Sequence, residues 1–173
     1  MIPGVVIAIL TFPGVIVHEF AHRFFCDLTA TPVRRVCYFR FGNPSGFVVH
    51  DTPASSWKHI LIGIGPLFVN SATGFALGLL APVIGAAPEP VQFLWFPLVW
   101  LAISIGMHSF PSTGDARGIW RALRSPGTPA AAVVAGTPLV GFLYLGALGS
   151  MVWLDLAYGY LLVFTLPAFL KIT

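Results

Sequence analysis

Two histidines and a glutamate near the start of the chain have the types and the spacing of a metal-dependent hydrolytic site. His18-Glu19-Phe20-Ala21-His22 is an H-E-x-x-H motif in a segment that we predict to be helical. Residues four apart lie on one helical face, so both imidazoles can bind a single metal ion. Glu19 directly follows the first ligand and can take a proton from the attacking water. Two imidazoles plus one oxygen ligand suit zinc and leave one coordination position open.

The motif lies in an apolar segment, which strengthens the functional interpretation. The uncharged run before it covers only Ile2–Val17, which is short of a full membrane crossing, so the helix must continue through His18 and His22. Ionisable groups at such depth are costly and are usually functional. The alternative interpretation is a set of polar side chains that are merely satisfied by neighbours at a helix end.

A third metal ligand is expected in the irregular segment that runs from His108 to Asp115 and contains proline and glycine. Irregular backbone near a membrane is tolerated where it lines a buried or wet cavity. We predict Asp115 as the ligand and His108 as its alternative. The competing role for Asp115 is structural, because Asp115 or Thr113 could cap a short helix over Asp115–Arg124. His50 and His59 are expected at the periphery.

Two further features could bind a substrate. Asn70 lies in a long apolar segment and needs a hydrogen-bond partner, which could be a substrate backbone, a developing oxyanion or simply a neighbouring helix. Val36–Phe41 and Phe47–His50 are rich in β-forming residues, and Gly42–Gly46 separates them. This pattern predicts a β-hairpin with a five-residue loop that packs at the cytosolic face of the helices.

Composition excludes a water-soluble fold. Of the 173 residues, 57% are hydrophobic and 9% are charged, whereas soluble domains carry about 25% charged residues. The length allows one membrane-embedded domain over residues 1–173. The basic residues lie between apolar segments and do not form a stripe interleaved with aromatic residues. We therefore expect the protein to lie in a lipid bilayer and not to bind nucleic acid.

Five apolar windows approach the roughly 20 residues that a helical crossing needs. We therefore predict an all-α polytopic membrane protein with about five transmembrane helices and one small β-hairpin. The core occupies residues 2–124, and two extra spans occupy residues 130–170. The windows are Ile2–Ala21, His59–Ile84, Val91–Phe110, Ala130–Trp153 and Leu154–Leu170.

The charges predict an orientation for these spans. All nine Lys and Arg residues fall in connections that the five-span arrangement places on one side. By the positive-inside rule that side is cytosolic, so the N-terminus is expected outside and the C-terminus and most loops in the cytosol. The turn between the last two spans, at Asp155, is then expected on the outer face. Cys26 and Cys37 are expected to stay reduced rather than form a disulfide.

In this order, the motifs make the chain resemble the site-2 protease family of intramembrane metalloproteases. The matching features are the H-E-x-x-H motif on the first span, Gly65-Pro66 with Asn70 on the second, and an aspartate after the third. With the hairpin they cover Ile2 to Arg124. The departure is at the third ligand, where the family typically has an Asn- or Leu-Pro-Asp-Gly-like run and this chain has Ser112-Thr113-Gly114-Asp115-Ala116.

The resemblance implies one zinc ion on His18, His22 and Asp115, with Glu19 as general base. It also implies cleavage of transmembrane segments of other membrane proteins. Such a substrate would unwind and add a strand to the hairpin edge, for which the candidate residues are Phe47, Val48 and Val49. No accessory domain is expected, and the oligomeric state is open.

Three rival functions remain to be weighed. A diiron membrane oxygenase needs many histidines, and the chain has five scattered ones. A catalytically inactive relative that binds membrane proteins would not need Glu19. A purely structural zinc site would fill all four coordination positions with protein ligands.

Overall fold

The computed structural model describes residues 4–170 and is mostly helical, with one small antiparallel sheet. Its order is a helical pair, a β-hairpin, and then helices to the end. Single turns of 3-10 or π geometry extend α4, α6 and α7. The elements are α1 Gly4–Leu10, α2 Phe12–Leu28, β1 Val33–Cys37, β2 Phe47–His50, α3 Ser56–Gly85, α4 Trp95–Met107, α5 Thr113–Leu123, α6 Ala130–Gly149, α7 Leu154–Tyr160 and α8 Leu166–Phe169.

Two of the described helices, over Ser56–Gly85 and Ala130–Val152, are long and apolar enough to cross a membrane. A third candidate is the pair α1 and α2, which passes the same test but bends by 91° at its break. The apolar helices over Val91–Met107 and Leu154–Phe169 have only 10–17 residues. Because a residue advances a helix by about 1.5 Å, each of these falls short of the roughly 30 Å hydrocarbon core. The fold thus has two or three candidate crossings.

The exterior of the helices is apolar, as a lipid-facing surface requires. Large side chains such as Phe68, Val134 and Leu145 are 59%, 75% and 70% exposed. Inside, small residues let backbones approach closely: a Cβ on Gly74 would lie 3.0 Å from the Cα of Gly106. Close packing through small residues is typical of helices in membranes, where water supplies no hydrophobic drive between helices.

The predicted hairpin is present, but its first strand begins earlier than expected. β1 covers Val33–Cys37 rather than Val36–Phe41, and it pairs antiparallel with β2 from Val33 opposite His50 to Cys37 opposite Phe47. β2 has four residues, so residues beyond Cys37 have no partner strand to meet. The chain instead turns toward α2, where the rings of Phe39 and Phe12 lie 5.8 Å apart.

Helix α5 is amphipathic, and its apolar face holds its N-terminus in place. Ala116, Ile119 and Leu123 are buried in a cluster with Ile60 of α3 and with residues of α6. The predicted helix over Asp115–Arg124 is confirmed with a start two residues earlier. Its N-cap is Ser112 rather than Asp115 or Thr113, because Ser112 and Asp115 form a reciprocal capping box.

Candidate metal site

The two motif histidines lie on α2 with their rings 4.9 Å apart, and each is oriented by a backbone carbonyl from a distant part of the chain. Nδ1 of His18 donates to the His108 carbonyl over 2.7 Å. Nδ1 of His22 donates to the Ile62 carbonyl over 2.9 Å. A carbonyl only accepts, so each Nδ1 carries the proton and each Nε2 keeps its lone pair. Metal-binding histidines are usually oriented by such a bond to the other ring nitrogen.

Asp115 brings a carboxylate to this pair from the first turn of α5. Its Oδ1 lies 3.5 Å from Nε2 of His22. Its Oδ2 accepts from the backbone N–H and the hydroxyl of Ser112, over 2.8 and 2.6 Å. Burial raises the pKa of the Asp115 carboxyl, but the neighbouring rings of His22 and His18 and the hydrogen bond from Ser112 outweigh it and hold the pKa below its usual value. The carboxyl is therefore ionised, as a metal ligand must be.

The three side chains have the donor set and the spacing that fit one zinc ion. Among the described residues, His18, His22 and Asp115 form a group whose ligand atoms all lie within 4.8 Å of one another. Two ligands about 2.0–2.1 Å from a tetrahedral zinc are separated by roughly 3.3–3.4 Å. The 3.5 Å between Nε2 of His22 and Oδ1 of Asp115 is close to that separation. Two nitrogens and one oxygen leave a fourth position open.

Glu19 is buried beside the ligands and is covered by the hairpin loop. Its exposed fraction is 8%. A Cβ added to Gly46 would lie 2.6 Å from Cγ of Glu19 and 3.0 Å from its Oε1. The absence of a side chain at Gly46 therefore lets the loop lie directly over the Glu19 carboxylate.

A cavity of about 540 Å³ opens onto these residues. Its walls include His18, Glu19, His22 and Asp115 together with the hairpin residues Pro44–Val48. Its volume is in the range of ligand-binding clefts. The charged side chains that line it are acidic, and no Lys or Arg is among the described residues in its walls. The cavity thus reaches the side chains of all three candidate ligands and of Glu19.

His108, the alternative ligand, supports the site through its backbone. Its ring lines the cavity, but its Nδ1 donates to the Ser104 carbonyl over 2.9 Å. It is not a member of the ligand group formed by His18, His22 and Asp115 within residues 4–170. The carbonyl of His108 instead fixes the orientation of His18.

Asn70 lies between helices and outside the cavity walls. It is 0% exposed, and its Nδ2 donates to the carbonyls of Gly14 and Ile105, each over 3.1 Å. Its Oδ1 has no hydrogen-bond partner within the described part of the chain. Of the three roles predicted for Asn70, the geometry favours the contact between helices over binding of a substrate backbone or an oxyanion.

The hairpin contributes part of the residues predicted for substrate binding. Phe47 and Val48 line the cavity, whereas Val49 is 49% exposed and is not among its lining residues. In the described sheet β2 pairs on one side with β1, which leaves its other edge without a partner strand. An extended substrate segment could add to that edge.

Sequence reasoning missed three residues of the site. His50 was predicted at the periphery but lines the cavity. Gly46 could not be identified from the sequence, because its role depends on its contact with Glu19. Asp155 was predicted at the turn between the last two spans, and its place in the wall of the cavity that His18 also lines was not foreseen. A signal for Asp155 did exist, since it is the single charged residue in the apolar stretch from Ala130 to Leu170.

None of the protein families, curated proteins or solved structures with which the chain was compared matches it. The chemistry of the site therefore carries the functional argument.

Proposed function

We propose that the protein is an intramembrane zinc metalloprotease that resembles the site-2 protease family. The supporting observation is the convergence of His18, His22 and Asp115 beside a buried Glu19, in a cavity set among apolar helices. Its substrates are transmembrane segments of other membrane proteins. The geometry of the ligand atoms, with both Nδ1 groups bonded to backbone carbonyls, is the strongest support.

Zinc, when bound by His18, His22 and Asp115, would acidify water and polarise the scissile carbonyl. Glu19 is the group in this chain that takes a proton from the attacking water and passes it to the leaving amine. Its buried position excludes bulk water and holds the carboxylate against the cavity. Ser112 keeps Asp115 in place from the N-cap of α5.

The substrate must be locally extended to reach the cavity, because helical peptide bonds are shielded by their own hydrogen bonds. The open edge of β2 offers backbone groups with which an unwound segment could pair. Phe47 and Val48 would then contact substrate side chains at the cavity wall. Segments that contain glycine or proline unwind most easily and are the expected substrates.

Membrane topology is part of the proposal. Five crossings with the N-terminus outside and the C-terminus in the cytosol follow from the apolar windows and the nine basic residues. Accessibility of single cysteines introduced at the connections, measured from each side of sealed vesicles, tests the count.

The decisive experiment compares the wild type with Glu19→Gln on a panel of candidate membrane-protein substrates, with zinc content measured in both. We expect equal zinc and a loss of cleavage of about 100- to 10,000-fold, the usual contribution of a general base. Glu89→Gln is the matched control, because Glu89 is the only other glutamate and is exposed. Equal cleavage by wild type and Glu19→Gln, or no zinc in either, would contradict the proposal.

A further inference from the structure

The catalytic cavity continues into a second cavity on the side away from the hairpin. This second cavity has a volume of about 340 Å³ and lies among α1, the end of α4 and the turn before α7. Residues common to the two cavities include Met107, His108, Ser150 and Asp155. A substrate chain that passes the metal site would therefore contact β2 on one side of the scissile bond and the second cavity on the other side.

Asp155 gives this second cavity a negative charge that the described chain does not neutralise. It is the only Asp, Glu, Lys or Arg among the lining residues, and its Oδ1 accepts from the neighbouring Leu156 N–H over 2.8 Å. No Lys or Arg lies within ion-pair distance of it in residues 4–170. Asp155 is half-buried, and a carboxylate at the wall of an apolar cavity gains from a charge-assisted hydrogen bond with a cation.

The walls around Asp155 suit the stem of a long cationic side chain. Ile7, Met107, Met151 and Trp153 all line the cavity. Lysine and arginine bury their methylene stems on apolar surface while the charged head reaches a polar partner. Methionine adapts to such a stem, and the face of an indole attracts a cation.

We propose that the Asp155 cavity is a substrate subsite that selects a lysine or arginine side chain on the α1 side of the scissile bond. This inference rests on the proposed protease function and names a specificity determinant for it. A basic side chain in this subsite would fix which peptide bond of the substrate reaches the metal site, because the two cavities share lining residues.

A binding experiment tests the subsite without hydrolysis. The protein carries Glu19→Gln, and the probes are fluorescent apolar peptides in which one lysine is moved along the sequence, each matched by a peptide with norleucine at that position. We expect one lysine position to bind about tenfold more tightly than its norleucine partner, as a charge-assisted pair would give. Asp155→Asn should remove this difference, and Asp155→Lys should transfer the preference to a glutamate peptide.

Asp27→Asn is the matched control, because Asp27 is an exposed aspartate on α2 that pairs with Arg23. It should keep the full lysine preference. Equal binding of every lysine and norleucine pair, weak binding of all peptides, or a preference that survives Asp155→Asn would overturn the subsite.

Failure of the subsite and failure of the protease proposal give different results. The lysine preference in binding should persist after zinc is removed by a chelator, because Asp155 is not one of the proposed ligands. Cleavage by the wild type without any lysine preference would reject the subsite and leave the protease intact. A lysine preference in a protein that never cleaves would reject the protease and keep a cation-binding cavity.

Discussion

Two groups of buried polar side chains lie on the apolar helices, and they differ in where their free atoms point. In the metal site, His18 and His22 bond one ring nitrogen to a backbone carbonyl and keep the other for a ligand. Between the helices, Asn70 uses its amide N–H groups on the carbonyls of Gly14 and Ile105 and lies outside the cavity walls. Both groups are shielded from solvent by the helices, but only the histidines converge on a cavity.

The comparison separates a functional polar group from a structural one inside a membrane fold. Most buried polar groups in proteins have a hydrogen-bond partner, so a bonded polar side chain in an apolar helix does not by itself indicate chemistry. Lone pairs that meet in one place, each fixed by a further hydrogen bond, are costly to assemble unless a cation occupies them. The substitutions below test this difference at both places.

The largest effect is expected for His22→Ala, which removes one ligand and the partner of Asp115. Zinc content should fall from one per chain to near zero, with apparent affinity lower by at least about 1,000-fold and cleavage lost. His59→Ala is the control, since His59 is outside the ligand group. Metal analysis after dialysis measures both. Retention of one tightly bound zinc by His22→Ala would remove the basis of the site.

Gly46→Ala should reduce hydrolysis by about 100-fold while zinc stays bound. The added Cβ would meet Cγ of Glu19 at 2.6 Å, so either the hairpin loop or the general base must move. Small displacements of reacting groups cost this much in rate. Gly42→Ala is the matched control, because its Cβ would meet only Nε of Arg40, at 3.8 Å. Equal turnover in the two variants would show that the contact between the hairpin loop and Glu19 does not affect catalysis.

Ser112→Ala should weaken zinc binding by about tenfold, the lower end of what outer hydrogen-bond partners contribute. It removes the hydroxyl that donates to Oδ2 of Asp115, and with it the cap of α5. Ser125→Ala is the control at the other end of α5, where the hydroxyl donates to the Arg121 carbonyl. Competition with a chromogenic chelator measures the affinities. Unchanged affinity in Ser112→Ala would show that Asp115 needs no such support.

Asn70→Ala should have the smallest effect on the site, with zinc content and affinity unchanged. It should lower the free energy of unfolding by about 1–3 kcal/mol, because two buried carbonyls lose their donor. Ser104→Ala is the buried control and should cost less, since the Ser104 hydroxyl has no partner within residues 4–170. Unfolding in mixed micelles gives the stabilities. Intact stability with a large loss of cleavage would instead assign Asn70 to the substrate.

Much of the fold and the site could be predicted because the signals are local. Apolar windows gave the helical segments, and the spacing of His18 and His22 gave one shared face. Asp115 was predicted from its place after the third apolar segment, and it lies beside His22. The bounds of β1 were wrong because strand propensity continues past Cys37, whereas pairing stops at Phe47, where β2 begins. The turn predicted at Asp155 agrees with the start of α7 at Leu154, but its approach to the cavity could not be predicted, because it depends on how the helices pack.

The amino-acid sequence by itself determined which residues can bind a metal and that they stand one helical turn apart, because helical periodicity acts within four residues. Only the tertiary structure decided which ring nitrogens stay free, since the carbonyls that orient His18 and His22 come from residues 90 and 40 positions away. It likewise decided that Gly46 covers Glu19 and that Asp155 borders the same cavity. Such contacts depend on how whole helices pack against one another, so they cannot be predicted from the local sequence pattern.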